Sequence, residues 1–262
     1  MSSPDSVELR AHAKLTRSLR IVGVRSDGYH LIDAEMVSLD VHDLLTIEPT
    51  GRGLDVTGPF AEGVPVDRSN LVARALEMVG RSGHVTIDKR IPHGGGLGGG
   101  STDAAAVLRW AGFGTDPVRL AEASKLGADI SFCLVGGRAQ VSGIGEIVEP
   151  LPPLDREITL IIPPLSIPTP AAYRAWDELG GPTSDGPNDL EAGALATEPR
   201  LAWWRDMITE RIGEAPVLAG SGATWFTERA FTSDERDDAL GDLVDKGARV
   251  VVTRTTAEPF DS

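Results

Sequence analysis

The amino-acid sequence predicts an α+β protein of two domains. Strand-like and helix-like segments follow one another without the strict alternation of βαβ units, which favours α+β over a parallel α/β fold. With 262 residues, 41% of them hydrophobic, the chain is long enough to fill one large or two modest cores. The composition shifts at a proline-rich segment, residues 150–153, and we predict a boundary there between domains 1–152 and 153–262.

The first half begins with a predicted hairpin. Residues 13–49 show a broken apolar alternation around Asp27–Gly28, which is typical of two antiparallel strands. A glycine- and proline-rich link follows at residues 51–65, and residues 69–83 then place apolar side chains at helical spacing behind Ser69, the predicted N-cap. The remaining predicted elements are a strand at residues 84–91, a helix from residue 118, and a strand, glycine turn and strand over residues 138–151.

The second half mixes strands and helices. Its predicted elements, in chain order, are a strand at Glu157–Ile162, helices at Ala171–Leu179, near Leu190 and at Leu201–Arg211, two strands around a glycine loop from Val217 to Thr227, a helix at Asp234–Lys246 and a strand at Arg249–Arg254.

The net charge argues against nucleic acid and anionic membranes as partners. The formal net charge is −14, and no run of Lys and Arg is visible, so the chain is expected to repel nucleic acid and anionic membranes. The single cysteine, Cys133, lies in an apolar run and is expected to be a buried, inert thiol. Since the N-terminus is polar and no stretch approaches the ~20 apolar residues of a membrane span, we expect a soluble, cytoplasmic protein.

The most informative segment is "GGGLGGG", residues 94–100, followed by an alanine-rich stretch. Glycine has no Cβ to keep an anion away, and successive N–H groups at a helix N-terminus supply positive potential. Ser101, Thr102 and Asp103 are suitable N-cap residues, so the loop is expected to end at a helix. A turning or flexible linker is the alternative, but linkers seldom join a strand directly to a capped helix, and we favour phosphate binding.

Two common phosphate motifs fit poorly. Gly94, Gly96 and Gly99 satisfy G-x-G-x-x-G, but that pattern carries little information in a run of glycines, and the preceding chain predicts an antiparallel hairpin instead of a first βαβ unit. A Walker A loop is excluded because Ser101 stands where its lysine should begin.

The segment "GGGLGGGSTDAA" resembles the phosphate loop of the GHMP small-molecule kinases. Four other segments, "AKLTRSLRIVGVRSDGYH", "LGADISF", "SIPTPAAY" and "LAGSGATWF", are similar to the branch of that superfamily that uses ATP to phosphorylate the 2-hydroxyl of 4-diphosphocytidyl-2-C-methyl-D-erythritol, in the non-mevalonate isoprenoid pathway. The similarity runs in order from Ala11 to Phe226. The glycine loop identifies only the superfamily, whereas "DGYH" followed by "SIPTP" is the specific part.

The resemblance implies a two-domain GHMP kinase fold. The N-terminal domain would hold a mixed or antiparallel sheet with helices, and the C-terminal domain would be ferredoxin-like. ATP with Mg²⁺ and a cytidine diphosphate-linked alcohol would meet in the cleft between them. We expect no nucleic-acid or membrane partner, and a monomer or a weak homodimer.

The resemblance also implies a catalytic pair, Lys14 and Asp129. An alcohol that attacks a γ-phosphoryl group must lose its proton, so a positioned carboxylate would act as base while an ammonium group steadies the charge. Taken singly, each residue has a plainer explanation. Asp129 could be an N-cap for the segment after it, and Lys14 could face solvent on a strand.

Binding residues carry over from the same motifs. For substrate they are Thr16, Tyr29, His30, Tyr173, Gly220, Ser221 and Gly222, with the two tyrosines stacking on the cytosine ring and His30 reading its edge. For ATP they are Asn70, Lys89, Pro92, Gly94, Gly95, Gly96, Leu97, Gly98, Gly99, Gly100, Ser101 and Thr102. Ser101 is the best candidate for a metal ligand. The plainer alternatives are a surface aromatic for Tyr29, a helix face for Tyr173, a solvated lysine for Lys89 and a tight hairpin for residues 220–222.

Three positions depart from the family pattern. Thr16 and Arg17 replace an asparagine and its apolar neighbour, and Ser131 stands where relatives tend to carry proline. Two alternatives therefore stay open, a GHMP kinase acting on another small alcohol and a nucleotide-binding protein without catalysis.

Overall fold

The computed structural model describes residues 6–92 and 94–257. The strands in these ranges are β1 (Val7–Val24), β2 (His30–Glu48), β3 (Gly53–Thr57), β4 (His84–Asp88), β5 (Arg138–Gly143), β6 (Ile147–Pro150), β7 (Glu157–Ile162), β8 (Val217–Leu218), β9 (Trp225–Thr227) and β10 (Arg249–Thr256). The helices are α1 (Leu71–Met78), α2 (Gly99–Trp110), α3 (Pro117–Ala123), α4 (Ile130–Val135), α5 (Thr169–Glu178), α6 (Glu191–Thr197), α7 (Arg200–Ile212) and α8 (Ser233–Asp245). The predicted α+β class is confirmed.

Strands β1 and β2 form the long antiparallel hairpin that the sequence predicts. Their pairing shifts register at three places, including between His12 and Lys14 and between Thr16 and Ser18. Such irregularities redirect side chains. Between these two shifts, Lys14, Leu15 and Thr16 are all buried although they are consecutive.

Strand β2 is the organising strand of the first half. Besides β1, it pairs antiparallel with β4, β5 and β10. Strand β3 pairs parallel with β4. The prediction of a link over residues 51–65 was therefore wrong for residues 53–57. Five residues that alternate between exposed and half-buried positions gave too short a pattern to stand out from the surrounding glycines.

The second half forms the strand order β10-β7-β9-β8, with antiparallel neighbours. Its predicted strands and helices are confirmed. The last strand also pairs with β2 through Thr255 and Thr256, so strands of both halves join in one sheet. The boundary between residues 152 and 153 stays a prediction.

Helix α2 crosses the core and carries the glycine loop at its start. Seven consecutive residues, 102–108, are buried. The last five, from Ala104 to Leu108, are small or apolar, as a helix that is buried on every face requires, whereas Thr102 and Asp103 are polar. It packs against α1, α4 and β1. In the part of the chain described, no helix is both long and apolar enough to cross a membrane.

Two predicted helix caps were wrong. The N-cap of α1 is Asn70, whose side chain accepts a hydrogen bond from the Val72 amide, while Ser69 bonds Asp67 instead. The N-cap of α2 is Gly98, so Ser101, Thr102 and Asp103 lie within the first turns of the helix. Ser, Thr and Asp are common N-caps, which is why the sequence predicted them. The N-cap is instead Gly98, whose φ of 70° lies in the left-handed region.

Candidate active site

Three positions of the glycine loop have a backbone conformation that favours glycine. Gly94, Gly96 and Gly98 have φ angles of 77°, 78° and 70°, in the left-handed region. A Cβ on Gly96 would lie 2.8 Å from the Ala219 carbonyl oxygen, and one on Gly98 would lie 2.6 Å from Lys14 Cγ. The loop therefore packs its bare backbone against a lysine side chain on one side and the β8–β9 loop on the other.

The start of α2 is open to an anionic ligand. Its N-cap, Gly98, offers no side-chain hydrogen bond to the first amide groups of the helix. Those groups have no intrahelical acceptor and carry the positive end of the helix dipole. This is the arrangement that binds phosphate at helix N-termini.

Lys14 and Asp129 lie side by side next to this loop. Lys14 Nζ is 3.2 Å from Asp129 Oδ2 and 3.3 Å from Thr16 Oγ1. The Lys14 backbone amide donates to the Leu97 carbonyl at 3.0 Å, which ties strand β1 to the loop. Both plainer explanations are wrong. Lys14 is only 5% exposed, and Asp129, although at the N-cap position of α4, makes no side-chain bond to that helix.

The pair combines a held ammonium group with an accessible carboxylate. The side chain of Asp129 is 33% exposed, whereas that of Lys14 is 6% exposed. A carboxylate that reaches solvent can take a proton from a bound hydroxyl, and the adjacent cation stabilises negative charge on the same oxygen. The arrangement can therefore support phosphoryl transfer to an alcohol.

A cluster of aromatic rings lies near Asp129. The rings of His30 and Tyr173 stack at 4.6 Å, Trp176 meets His30 edge-on at 5.6 Å, and Asp177 Oδ1 is 2.8 Å from His30 Nε2. Burial, and then the charge of Asp129, raise the pKa of Tyr173 to about 12. Sequence reasoning missed Trp176 and Asp177, although their spacing from Tyr173 on one helix was a usable signal.

Tyr29 does not join this cluster in the structure. It is 60% exposed, and its ring lies 5.6 Å from the Arg25 guanidinium carbon. Its location is that of a surface aromatic at the hairpin turn. Its predicted role in stacking on the base stays a prediction.

The second glycine loop lies across from the first. A Cβ on Gly220 would be 3.9 Å from Lys14 Nζ and 3.6 Å from Thr16 Oγ1. The Ser221 hydroxyl is 2.8 Å from Thr169 Oγ1, and Gly222 contributes a carbonyl near Gly96. The β8–β9 loop therefore connects a hairpin and also lies against Lys14, Thr16 and the first glycine loop.

Asn188 supports this second loop, and sequence reasoning missed it. Its side-chain amide donates to the Leu218 and Gly220 carbonyls, both at 2.8 Å, and accepts from the Leu190 amide. Its side chain is buried with all these bonds made. No periodic pattern marks such a residue, because "GPNDL" has the composition of an ordinary loop.

Four other residues predicted to bind ATP are buried, and their side chains contact other parts of the protein. Lys89 is not solvated but 3% exposed, 2.7 Å from Asp103 Oδ2 and also paired with Asp43. Asn70 caps α1, and Leu97 packs its side chain in the core. Pro92 is buried beside the loop. Their predicted contacts with ATP stay predictions.

Two of the three departures from the family pattern, Arg17 and Ser131, have structural explanations. Arg17 forms ion pairs with Glu35 of β2 and with Glu228 of the second half. The Ser131 hydroxyl donates to the Leu120 carbonyl at 2.9 Å, so the buried hydroxyl is satisfied within the helical layer. Cys133 is buried as expected, and burial raises the pKa of its thiol.

Comparison with known proteins shows the family. The GHMP kinases N terminal domain matches residues 70–137. A protein of Paracoccus denitrificans (strain Pd 1222) named 4-diphosphocytidyl-2-C-methyl-D-erythritol kinase is 38% identical over 235 residues, 82% of this chain and 84% of that protein. One of the same name from Jannaschia sp. (strain CCS1) is 36% identical and covers 88% of this chain and 91% of its own length.

Comparison with solved structures supports the same kinase family and its fold. A crystal structure of 4-(cytidine 5'-diphospho)-2C-methyl-D-erythritol kinase has a TM-score of 0.75 and 32% identity, and the match covers 96% of this chain and 100% of that one. A homoserine kinase from Cytophaga hutchinsonii, 17% identical with a TM-score of 0.62 and covering 100% of this chain and 98% of its own, shares the fold. The chain belongs to the 4-diphosphocytidyl-2-C-methyl-D-erythritol kinase family of GHMP kinases.

Proposed function

We propose that this chain transfers the γ-phosphoryl group of ATP to the 2-hydroxyl of 4-diphosphocytidyl-2-C-methyl-D-erythritol, giving the 2-phosphate and ADP, in the non-mevalonate isoprenoid pathway. The names of the similar proteins support the substrate. The observation that carries the chemistry is the 3.2 Å contact between Lys14 Nζ and Asp129 Oδ2 beside an open helix N-terminus.

In this mechanism the alcohol attacks the γ-phosphorus while its proton passes to Asp129. A new O–P bond forms as the bond to the β-phosphate oxygen breaks, and ADP leaves with that electron pair. Lys14 stabilises the negative charge on the attacking oxygen, and Thr16 accepts a hydrogen bond that holds the ammonium in place. Proton acceptance by the carboxylate is typically worth 10²–10⁴-fold in rate, roughly.

The triphosphate would lie on the glycine loop. The bare backbone from Gly94 to Gly100 and the first amides of α2 supply donors without a side chain in the way. Backbone donors suit a chain of net charge −14, which presents no basic surface for a polyphosphate.

Mg²⁺ would be held mainly by phosphate oxygens and water. Within residues 6–92 and 94–257 no group of three or more His, Cys, Asp or Glu side chains could hold a metal ion. That composition fits Mg²⁺, which keeps several waters and uses few protein ligands beside substrate phosphates. We propose the Ser101 hydroxyl, in the first turn of α2, as a protein ligand. When bound, the ion neutralises charge on the transferred group.

The cytidine end of the substrate would bind at the ring cluster. The stacked pair of His30 and Tyr173 offers an aromatic face, and His30, held by Asp177, offers a hydrogen-bonding edge. We retain Tyr29 as a residue that closes on the base, and Gly220, Ser221 and Gly222 as backbone contacts to the substrate.

The proposal also covers the fold of the second domain, the location of the protein and its oligomeric state. The order β10-β7-β9-β8 corresponds to strands four, one, three and two of a βαββαβ unit, which supports a ferredoxin-like second domain over residues 153–262. We propose a cytoplasmic enzyme whose partner is the small-molecule substrate, acting as a monomer or a weak homodimer.

The test is a steady-state assay of ADP release. The proposal predicts turnover with ATP and 4-diphosphocytidyl-2-C-methyl-D-erythritol, and none with 2-C-methyl-D-erythritol, which lacks the cytidine diphosphate group. Turnover of the free polyol at the same rate would point to a GHMP kinase of another specificity. ATP binding without turnover of either compound would point to a non-catalytic nucleotide-binding protein.

A further inference from the structure

A second charged cluster is buried beneath the first turns of α2. Lys89, Asp43 and Asp103 are each no more than 3% exposed. The Lys89 ammonium is 2.7 Å from Asp103 Oδ2 and also bonds Asp43 Oδ2. Because Asp43 belongs to β2, Lys89 follows β4 and Asp103 belongs to α2, the cluster joins three elements.

Asp43 also binds the backbone where the chain enters the glycine loop. Its other oxygen, Oδ1, accepts hydrogen bonds from the amides of Arg90 and Ile91, the latter at 2.8 Å. One carboxylate therefore holds three consecutive residues, 89–91. These residues leave the sheet and lead into the loop.

The same cluster reaches the other end of the loop. Asp103 lies in α2, and a Cβ on Gly99 would be 3.1 Å from Lys89 Nζ. The ammonium thus lies close to Gly99 at the loop's exit, while its partner Asp43 binds the backbone at the entrance. A loop of glycines has little stiffness of its own, so the direction of its amides depends on how its ends are fixed.

The charge balance of the cluster is compatible with a bound anion above it. Two carboxylates and one ammonium would leave one negative charge under the loop. Burial raises the pKa of Asp103 to about 8, and the neighbouring charge of Asp43 adds to this while Lys89 opposes it. Burial therefore favours the protonated form of Asp103, which reduces the negative charge beneath the loop.

We propose that Asp43 is a positioning residue for the glycine loop, acting through Lys89 and Asp103 to fix both ends of the loop for the triphosphate. Lys89 then acts through the loop and is not itself a ligand of the nucleotide. The proposal rests on the proposed function only in taking ATP as the ligand.

The first test compares Asp43→Asn with Asp189→Asn. Asp189 is a matched control because it is 3% exposed, accepts from the Ile21 and Ser184 amides at 2.9 Å and pairs with Arg20 at 2.8 Å. In nucleotide-free protein, we expect hydrogen exchange of peptides spanning residues 91–100 to accelerate about tenfold or more in Asp43→Asn only, as for loss of one charge-assisted hydrogen bond. Unchanged exchange in those peptides would overturn the proposal.

The second test is a double-mutant cycle on ATP binding, measured by calorimetry. Lys89→Met is expected to weaken ATP binding about tenfold in the natural chain and to add little in the Asp43→Asn background, because both remove one tether. Equal losses in both backgrounds would make Lys89 a direct ligand and contradict the proposal. Asp103→Asn, which keeps the side-chain shape, replaces Asp43→Asn in both tests if the latter fails to fold.

These readouts separate two kinds of failure. The exchange experiment uses no nucleotide, so it tests the positioning role even if ATP proves to be the wrong ligand. Absence of turnover with the cytidine substrate would defeat the proposed function and leave the exchange result intact.

Discussion

Two lysines lie against neighbouring glycines at the start of α2, Lys14 against Gly98 and Lys89 against Gly99. Each lysine is paired with one or two carboxyl groups, but these carboxyl groups differ in their exposure to solvent. The side chain of Asp129 is 33% exposed, while those of Asp43 and Asp103 are 0% and 4% exposed. The same ion-pair chemistry can therefore serve a reaction where a ligand can reach the carboxylate, and can hold the backbone in place where nothing can.

The largest expected effect is on the exposed pair. Asp129→Asn removes the proposed proton acceptor, and we expect kcat to fall by about 10²–10⁴-fold while ATP binding persists. Steady-state ADP release measures kcat, and calorimetry measures binding. Asp116→Asn, which replaces one good N-cap of α3 by another, is the control. Near-normal turnover in Asp129→Asn would remove the base assignment.

In the buried cluster of Lys89, Asp43 and Asp103, a substitution should lower the stability of the protein. Lys89→Met leaves the buried carboxyl groups of Asp43 and Asp103 without their cationic partner, and the free energy of unfolding should fall by about 3–5 kcal/mol. Lys14→Met should lower it by only about 1 kcal/mol, since its partner carboxylate reaches solvent. Urea denaturation at neutral pH measures both. Equal losses for the two variants would show that access does not distinguish the clusters.

A pair of glycine substitutions tests the contact between loop and lysine. Gly98→Ala would strain a left-handed position and place a methyl group 2.6 Å from Lys14 Cγ, so Lys14 must shift. We expect kcat to fall by about tenfold, corresponding to roughly 1–2 kcal/mol. Gly241→Ala, in α8, whose Cβ would meet nothing within 4 Å, should leave kcat unchanged. Similar losses in both variants would contradict this geometry.

The last prediction concerns the pH dependence of stability. Burial raises the pKa of Asp103 to about 8 in the folded protein, against about 4 in the unfolded chain. A carboxyl with a raised folded pKa stabilises the fold fully below its unfolded pKa, and this contribution is lost as pH rises through the folded value. Relative to Asp103→Asn, the natural chain should therefore lose unfolding free energy between about pH 4 and pH 8. Parallel pH profiles would show that Asp103 is ionised throughout.

The sequence predicted the elements that repeat a pattern and the residues that belong to a motif. The hairpin, the strands β7 to β10 and helix α2 followed from periodicity and glycine signals, and Lys14 and Asp129 followed from the resemblance. Strand β3 was missed because five half-exposed residues carry too little pattern. The cap of α2 was misplaced because a bare glycine cap leaves no side-chain signal.

Contacts between distant segments could not be predicted. Asp43 lies 46 positions before Lys89, and Asn188 lies 32 positions before Gly220. Nothing local in the sequence links such residues, because pairing depends on which strands become neighbours. Lys89 illustrates the difference. A strand lysine is usually solvated, and only the tertiary structure brings two carboxylates to it and buries all three.

The central claim is that the amides of the glycine loop hold the triphosphate so that its terminal group faces an alcohol beside Asp129. A crystal structure with a non-hydrolysable ATP analogue and 4-diphosphocytidyl-2-C-methyl-D-erythritol tests it most directly. We predict phosphate oxygens about 3 Å from backbone nitrogens of residues 96–101, and the 2-hydroxyl about 3 Å from the Asp129 carboxylate. Phosphates bound away from the loop, or a hydroxyl out of reach of Asp129, would contradict the account.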